Sequence, residues 1–455
     1  MNGRIPIVAA AAMAAAVLTL AGCGGSDGDV FAATGTNAAR SANPLATPDQ
    51  IAAEKLALEL VNAPAVVQAK ATLKAQWLAA AQAVGGVPDE SLAYLQTAVD
   101  ESAMSSALAI TNQDPNAPKV ISGLAAPHKW FGIDVPGSRT TFDNPDTIYR
   151  SFPVDPALRY VIRGRVHRDG PVDSNVSLWD GRHTTLSNLS GDQLRVGADG
   201  GFVITADSGA ADGTGNHVTL PTTAASFFIR DTVGEWGVQQ FDDLSVERVS
   251  GASTAAAPTR DDMIARLAAQ VANGGTFAGY NALANARPVN TIPPVSLGGS
   301  AGRLSTQAAT YSAFRIADDE ALVVQVDLGG AKYFIAPAYG RWLITTDYVD
   351  HTQSLNNRQA VANPDGTFTF VVSPTDPGVY NWVDTVGIHA GFLNLRWQGV
   401  PAASTCAAPS AHATLVKLAN LRSVLPATMR YVTPAERAAQ LAARKASYAS
   451  RYAAG

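Results

Sequence analysis

The segment DPGVYNWVDTVGIHAGFLNLRW, residues 376–397, concentrates side chains that could do chemistry in a chain with only 16% charged residues. Trp382 could offer a flat apolar face on which a sugar ring stacks. Asp384, His389 and Arg396 could exchange hydrogen bonds with the sugar hydroxyls. These four residues form a candidate ligand-binding site, and the ligand that they predict is a glycan.

A catalytic interpretation uses the same segment. Hydrolysis of a glycosidic bond needs two carboxyl groups, one as acid and the other as base or nucleophile. Asp384 could supply one of them, with Asp146 or Asp376 as the second. A third interpretation is structural, because Asp376-Pro377-Gly378 has turn chemistry and an ion pair between Asp384 and Arg396 would fix the loop. The sequence leaves all three interpretations open.

Signatures of common enzymes and cofactor sites are otherwise weak. The string GGSAG, residues 298–302, matches a Gly-x-Ser-x-Gly pattern, but its flanking sequence favours a linker over a nucleophile elbow. The oxygen-rich segment 207–216 lacks the spacing of an EF-hand calcium loop. The seven histidines are scattered and no Cys-x-x-Cys occurs, so we expect no metal and no cofactor. A net charge of −5 without a basic block argues against a nucleic-acid partner.

The N-terminus has the pattern of an export signal. Arg4 precedes an apolar stretch, residues 5–20, that is short for a membrane-spanning helix. The sequence LAGC, which ends at Cys23, resembles the lipobox of bacterial lipoproteins. That resemblance implies a signal peptide over residues 1–22 and acylation of Cys23, and an ordinary cleaved signal is the alternative. We expect a lipoprotein of the bacterial cell envelope that faces the periplasm or the cell exterior.

The chain after the signal begins with an expected tether. Residues 23–46 comprise the lipidated cysteine and a flexible linker rich in Gly, Ala, Ser and Thr. The membrane, reached through the N-terminal lipid, is the partner that this region predicts. Cys406 is the only other cysteine, so a disulfide framework is excluded and its thiol should be free.

Beyond the tether, helical and strand patterns alternate. Thr47 and Gln50 have the spacing of a capping box, and helical periodicity follows. From about Asn144 the period changes to 2, which is typical of half-buried strands. A second capping box begins at Thr433. The expected regions are a helical N-terminal region (47–124), a first β half (125–250), a helical and loop insert (251–310), a second β half (311–402) and a C-terminal helical tail (403–455).

The two β halves resemble each other at an offset of 165 or 166 residues. The Asp-Gly pairs at 199–200 and 365–366 correspond, and Asp-Gly between alternating strands is a hairpin signal. Asn216 corresponds to Asn381, and Arg230 corresponds to Arg396. We therefore predict an α+β, mainly β fold with a duplicated β-sandwich and helical N-terminal, central and C-terminal segments. The two halves could share one sandwich or form two that pack together.

The second half also carries a resemblance to a known family. The motifs are Asn357-Arg358, Asn363-Pro364-Asp365-Gly366, Asn381-Trp382, Gly391 and Leu395-Arg396-Trp397, with Asn144, Asp146 and Tyr149 upstream. Through them, residues 125–455 resemble the bacterial domain-of-unknown-function family twelve-fourteen. The resemblance implies a jelly-roll-like sandwich and brings no established activity. Asn357 and Arg358 join the candidate ligand-binding residues.

Three functional hypotheses follow. The first is a non-catalytic module that binds a glycan or another envelope ligand. The alternative is a carbohydrate-active hydrolase or lyase that uses a carboxylate pair, with Asp146 and Asp384 as the weak catalytic candidates. A structural partner in an envelope complex is the third hypothesis.

Overall fold

The structure is a computed structural model that describes residues 43–251, 256–298, 304, 306–401 and 408–453. The expected signal peptide, Cys23, most of the linker, Ser300 and Cys406 lie outside these residues. In the described ranges, none of the helices combines the length and the apolar character needed to cross a bilayer.

The N-terminal region is a layer of helices. Its members are α1 (Pro48–Val61), α2 (Pro64–Ala83), the single-turn α3 (Asp89–Leu92) and α4 (Leu95–Ile110). Thr47 caps α1, because its hydroxyl accepts a hydrogen bond from the Gln50 backbone N–H at 3.1 Å. The reciprocal half of the predicted capping box is not formed. The buried Gln50 side chain pairs instead with Glu54 and with the backbone of Ser122.

The first β half forms a sandwich beside a small hairpin. Its strands are β1 (Ile121–Gly123), β2 (His128–Trp130), β3 (Ile133–Val135), β4 (Thr147–Pro153), β5 (Arg159–Arg165), β6 (Asp173–Asp180), β7 (Thr185–Ser190), β8 (Gly201–Asp207), β9 (Asn216–Thr219), β10 (Ala224–Thr232) and β11 (Asp243–Ser250). One sheet has the order β1-β4-β10-β6-β7, the other has the order β11-β5-β8-β9, and β2 pairs with β3. Alternate side chains such as Phe152, Tyr160 and Phe227 fill the space between the two larger sheets.

Two helices and a second sandwich follow. Helices α5 (Arg260–Ala272) and α6 (Phe277–Asn285) pack against α2. The strands are β12 (Ser296–Leu297), β13 (Ala308–Arg315), β14 (Glu320–Asp327), β15 (Tyr333–Tyr339), β16 (Ser354–Asn356), β17 (Phe368–Ser373), β18 (Trp382–Asp384), β19 (Ala390–Gln398) and β20 (Ser410–Lys417). Their sheets have the orders β12-β13-β19-β15-β16 and β18-β17-β14-β20. Phe334, Phe370 and Trp397 lie in the core between them.

The two sandwiches repeat one topology. Strands β4, β10 and β6 take the places of β13, β19 and β15, and the edge strands β9 and β18 both run parallel to their neighbours. Gly200 and Gly366 lie in matching turns with φ of 82° and 84°. The amides of Asn216 and Asn381 bond equivalent backbone groups. The predicted α+β, mainly β fold with a duplicated sandwich is confirmed, and each repeat forms a sandwich of its own.

The boundaries of the second half differ from the prediction. Strands β12 and β20 lie in the ranges expected to be a helical and loop insert (251–310) and a C-terminal helical tail (403–455). The edge strand β20 has mostly small or polar residues and is largely exposed, so its sequence lacks the hydrophobic alternation of an inner strand. Two helices follow β20 in the described residues, α7 (Leu421–Val424) and α8 (Pro434–Ala449). Thr433 and Glu436 form the predicted capping box of α8.

Candidate functional site

Trp382 lies inside the molecule, with only 7% of its surface exposed. Its indole N–H donates to the carbonyl oxygen of Ser373 at 3.1 Å. The guanidinium of Arg437 covers the ring at 4.9 Å from its centroid and forms an ion pair with Asp376 at 3.0 Å. The ring therefore presents no open face on which a sugar could stack, and Asp376 is occupied by Arg437.

Asp384 has a different partner from the predicted one. Its carboxylate accepts a hydrogen bond from His351 Nδ1 at 2.8 Å and another from the Val386 backbone N–H at 2.7 Å. The predicted ion pair with Arg396 is not formed, because β18 belongs to the four-stranded sheet while β19 carries Arg396 in the five-stranded sheet. The hydrogen bond from His351 to Asp384 raises the pKa of the imidazole, and burial opposes this effect.

Arg396 and His389 also lie apart. Arg396 points away from the core of the second sandwich, and its guanidinium donates to the Phe142 carbonyl and to the Tyr339 hydroxyl. His389 lies at the surface, with Nε2 2.9 Å from a carboxylate oxygen of Asp318. None of the described hydrogen bonds or ion pairs joins Trp382, Asp384, His389 and Arg396 to one another.

Asp146 is a structural carboxylate between the two sandwiches. It is fully buried and accepts hydrogen bonds of 2.7 Å from the Trp236 indole, the Tyr333 hydroxyl and the Asn356 amide. Burial raises its pKa, and the bonds from Asn356 and Tyr333 oppose that rise. Because Asp384 shares none of these partners, the predicted acid–base pair is not assembled.

Asn357 and Arg358 have local roles. The Asn357 side chain accepts from the Phe334 backbone N–H at 3.0 Å and so fixes the bend after β16. Arg358 is exposed, and the carbons of its side chain pack beside Gly234 of the first half. Neither residue contacts the other candidate side chains through a described hydrogen bond or ion pair. In the described ranges, no group of three or more His, Cys, Asp and Glu side chains is placed to hold a metal ion.

The same segment does line a cavity, at residues 390–392, where the sequence did not predict a site. The cavity has a volume of about 530 Å³, within the usual range for small-molecule sites. Its walls are the loop after α2, one side of α6, the end of β13 and the start of β19. Most of the lining side chains are small and apolar, and Phe392 supplies an aromatic surface.

Arg341 supplies the charge of this cavity. It lies in the turn after β15 and is 6% exposed. Its terminal nitrogens donate to the Ala81 and Val84 carbonyls at the end of α2 and to the Asn285 side chain. Its Nε is buried and has no hydrogen-bond partner among the described residues. Burial lowers the pKa of Arg341, because the charged form loses solvation.

The charged side chains in the described lining of the cavity are all positive. Arg315 is a second cation in the lining, and no carboxylate is among the described lining residues. The end of a helix offers partial negative charge to Arg341, which is less than a full counter-charge. Val289, which also lines the cavity, is an apolar residue that is 48% exposed. The arrangement combines a buried cation with an apolar surround.

Glycines allow the close packing around the cavity. A Cβ on Gly391 would overlap the Tyr339 carbonyl and the ring of Phe314, which explains a glycine in this strand. Gly85, with φ of 101°, lies beside the guanidinium of Arg341. Sequence reasoning missed Arg341 because a single arginine in a turn has no motif, and the two carbonyl groups that it bonds, of Ala81 and Val84, lie more than 250 positions away.

Comparison with known proteins shows the fold alone. No family model and no curated protein matches the chain. The chain is similar to the crystal structure of an uncharacterised protein from Burkholderia cenocepacia, with a TM-score of 0.62 and 24% identity over 80% of this chain and 99% of that one. A protein from Vibrio parahaemolyticus matches with a TM-score of 0.37 and 12% identity, over 60% of this chain and 90% of its own.

Proposed function

We propose that this chain is a non-catalytic binding protein for a small amphiphilic anion, such as a carboxylate on an apolar body, held in the cavity beside Arg341. The observation that carries the proposal is a guanidinium 6% exposed in the cavity lining with no ion-pair partner among the described residues. A buried cation is costly unless an anion or several dipoles compensate it. A ligand carboxylate would complete that compensation.

The rest of the lining supports the apolar part of such a ligand. Ala282, Ala313 and Phe392 offer hydrocarbon surface, and Arg315 adds a second positive charge at the edge. Burial of apolar ligand surface contributes roughly 25 cal/mol per Å² before the costs of association are subtracted. A charged hydrogen bond to Arg341 contributes roughly 1.5–3 kcal/mol and fixes the orientation.

The test uses two probes with the mature protein. The fluorescent anion 8-anilinonaphthalene-1-sulfonate reports occupancy, and dodecanoate below its micellar concentration displaces it. We expect Arg341→Gln to weaken dodecanoate binding by roughly 10- to 100-fold, because one charged hydrogen bond is lost. Ala286→Trp, which fills the cavity from the end of α6, should abolish binding. The matched control is Arg168→Gln, an exposed arginine outside the cavity lining, and it should bind as the parent does.

Thermal midpoints separate binding from folding, because Arg341 also caps α2. Arg341→Lys keeps the charge and should retain more affinity than the glutamine variant at a similar midpoint. Equal displacement by dodecanoate and by dodecanol would contradict the proposal, because the charge would then be irrelevant. Unchanged affinity in a folded Arg341→Gln variant would also contradict it.

The cellular setting is part of the proposal. The LAGC sequence supports lipid anchoring at Cys23 in a bacterial envelope, where amphiphilic anions are available as ligands. Membership of the domain-of-unknown-function family twelve-fourteen is likewise a proposal. The hydrolase alternative loses its support, because Asp146 and Asp384 have separate sets of partners.

A further inference from the structure

The outer face of the first five-stranded sheet carries a row of aromatic rings. Phe228, in the central strand β10, stacks on Trp179 of β6 with ring centroids 4.0 Å apart and an interplanar angle of 19°. Tyr149 of β4 lies on the other side, with its ring centroid 5.5 Å from that of Phe228. These three rings are half-buried, while the neighbouring Phe227 and Ile229 point into the sandwich core. The sheet therefore presents a partly open aromatic surface.

Arg230 lies on this aromatic surface. Its guanidinium is 4.7 Å from the ring centroid of Phe228 and 5.4 Å from that of Trp179. It donates one hydrogen bond, to the Ser177 hydroxyl at 3.1 Å. In the part of the chain that the structure describes, no carboxylate forms an ion pair with it. The contacts with the two rings and the single hydrogen bond to Ser177 leave most of the five N–H donors of Arg230 free to bind an anion.

The duplication brings a second arginine into the same region. Arg396 is the repeat equivalent of Arg230, and its charge contributes to lowering the pKa of Arg230. Burial is the largest cause of the lowered pKa, which is about 10, and Tyr149 and Asp173 oppose this lowering. Arg396 also lacks an ion-pair partner among the described residues, since it bonds Phe142 and Tyr339. The positive charge of Arg396 therefore acts on Arg230, and a bound anion would offset this effect.

Polar groups flank the rings. Ser177 bonds Asn188 at 2.7 Å, Asn188 bonds Asn175 at 2.8 Å, and Asn175 bonds Asp173 at 2.8 Å, which forms a continuous row. Burial raises the pKa of Asp173 to about 6, and this carboxylate is the nearest anionic group of the row. Beyond it, Lys332 and Asp192 neutralise each other in an ion pair of 2.7 Å. The indole nitrogen of Trp179 is buried and lacks a hydrogen-bond partner in the described residues.

We infer that this surface, formed by Tyr149, Trp179, Asn188, Phe228 and Arg230, binds an acidic sugar. The sugar carboxylate pairs with Arg230, its ring packs on the aromatic row, and its hydroxyls bond the Asn188 side chain. Aromatic faces suit sugar rings because their C–H edges are apolar, and a planar guanidinium suits a carboxylate. The site is separate from the cavity at Arg341 and requires neither that cavity nor its ligand.

The experiment is calorimetric titration of the mature protein with hexagalacturonate, with neutral maltohexaose as the uncharged comparison. We expect binding of the acidic oligosaccharide alone, weaker at higher salt because the contact is ionic. Arg230→Gln should reduce affinity by at least about tenfold. Trp179→Leu, which keeps an apolar side chain and removes the ring, should reduce it through lost stacking. The matched control is Arg182→Gln, an exposed arginine in the turn after β6, and it should bind as the parent does.

Each variant is also tested for folding and for the first site. Thermal midpoints show whether Arg230→Gln folds, and Arg230→Lys, which keeps the charge, should restore part of the affinity. Displacement of 8-anilinonaphthalene-1-sulfonate by dodecanoate should be unchanged in Arg230→Gln, so the failure of one site is distinguishable from the failure of the other. Equal binding of both oligosaccharides, binding of neither, or full affinity in a folded Arg230→Gln variant would overturn the inference.

Discussion

Individual arginines differ in this protein by whether a carboxylate compensates them. Arg139 is 3% exposed and forms an ion pair with the equally buried Glu101, so its charge is satisfied within the fold. Arg341 and Arg230 have no ion-pair partner in the described residues. An unpaired charge removed from water is costly, and Arg341 lines the cavity while Arg230 lies on the aromatic surface, so an external anion can compensate these two. The presence of arginines that form internal ion pairs, such as Arg139, is better explained by their contribution to the stability of the fold.

At the same scale, His351 should make stability depend on pH. Its pKa is raised by the hydrogen bond to Asp384, so the folded state favours the protonated ring. The stabilisation is fully present below the unfolded pKa of about 6.5 and is lost as the pH rises through the higher folded value. The imidazole is 40% exposed, so solvent screening limits the effect to below about 1 kcal/mol.

Urea unfolding of the parent and of His351→Gln measures this effect. The difference in the free energy of unfolding should be largest at about pH 5.5 and should shrink towards about pH 8.5. In an Asp384→Asn background the same difference should lose most of its pH dependence, because the hydrogen-bonded carboxylate is absent. A difference that grows with pH would mean that folding lowers the pKa of His351, which contradicts the prediction.

Among the elements, helix α8 fastens the C-terminus to both sandwiches. Arg437, Arg444 and the following Arg451 are spaced by seven residues, about two helical turns, so all three lie on one face. Each is at least 93% buried over an aromatic ring. Trp236 of the first half contacts two of them, and Trp382 of the second half contacts the third.

Trp382 therefore belongs to the attachment of α8. We expect Trp382→Ala to lower the free energy of unfolding by about 3–5 kcal/mol, as for other buried aromatic residues. Trp382→Phe keeps a ring under Arg437 and loses the bond to Ser373, so its cost should be much smaller. A double-mutant cycle with Arg437→Ala should give a coupling of about 0.5–2 kcal/mol. A wild-type midpoint for Trp382→Ala would show that the ring is not packed beneath Arg437.

At the scale of the whole molecule, the duplication determines the positions of equivalent charged residues as well as the order of the strands. Two sandwiches of one topology place Arg230 and Arg396 at equivalent positions in their central strands, β10 and β19. The residues around them have diverged, because Trp179 in the first half corresponds to Tyr339, whose hydroxyl bonds the Asp143 carbonyl. One repeat kept a partly open face and the other became covered.

Attachment of the whole molecule to a membrane is predicted from Cys23. Replacement of Cys23→Ala should abolish lipid labelling and should block or move signal cleavage, because in a lipoprotein both the acyl chains and the processing depend on this thiol. Metabolic labelling with a fatty acid, followed by membrane fractionation, measures both effects. A control at Cys406→Ala should label normally. Normal processing and membrane recovery of the Cys23→Ala variant would rule out the lipoprotein hypothesis.

The amino-acid sequence by itself determined most of the inner strands, the main helical regions and the duplication of the sandwich. Period-2 alternation, capping residues and Asp-Gly turns each depend on only a few neighbouring residues. They can therefore be recognised in the sequence without knowledge of the tertiary contacts. The strand β20 was not predicted, because an exposed edge strand can form with little hydrophobic alternation in its sequence. Arg396 was identified, but its partners Phe142 and Tyr339 were not.

Only the tertiary structure decided which polar residues share a site. The candidate segment is continuous in sequence, yet its side chains belong to two different sheets, so Asp384 pairs with His351 and Arg396 with Phe142. The cavity joins residues from positions 84 to 392, and the environment of Arg341 depends on backbone carbonyls some 260 positions away. A charge becomes costly through burial, and burial is set by how distant elements pack.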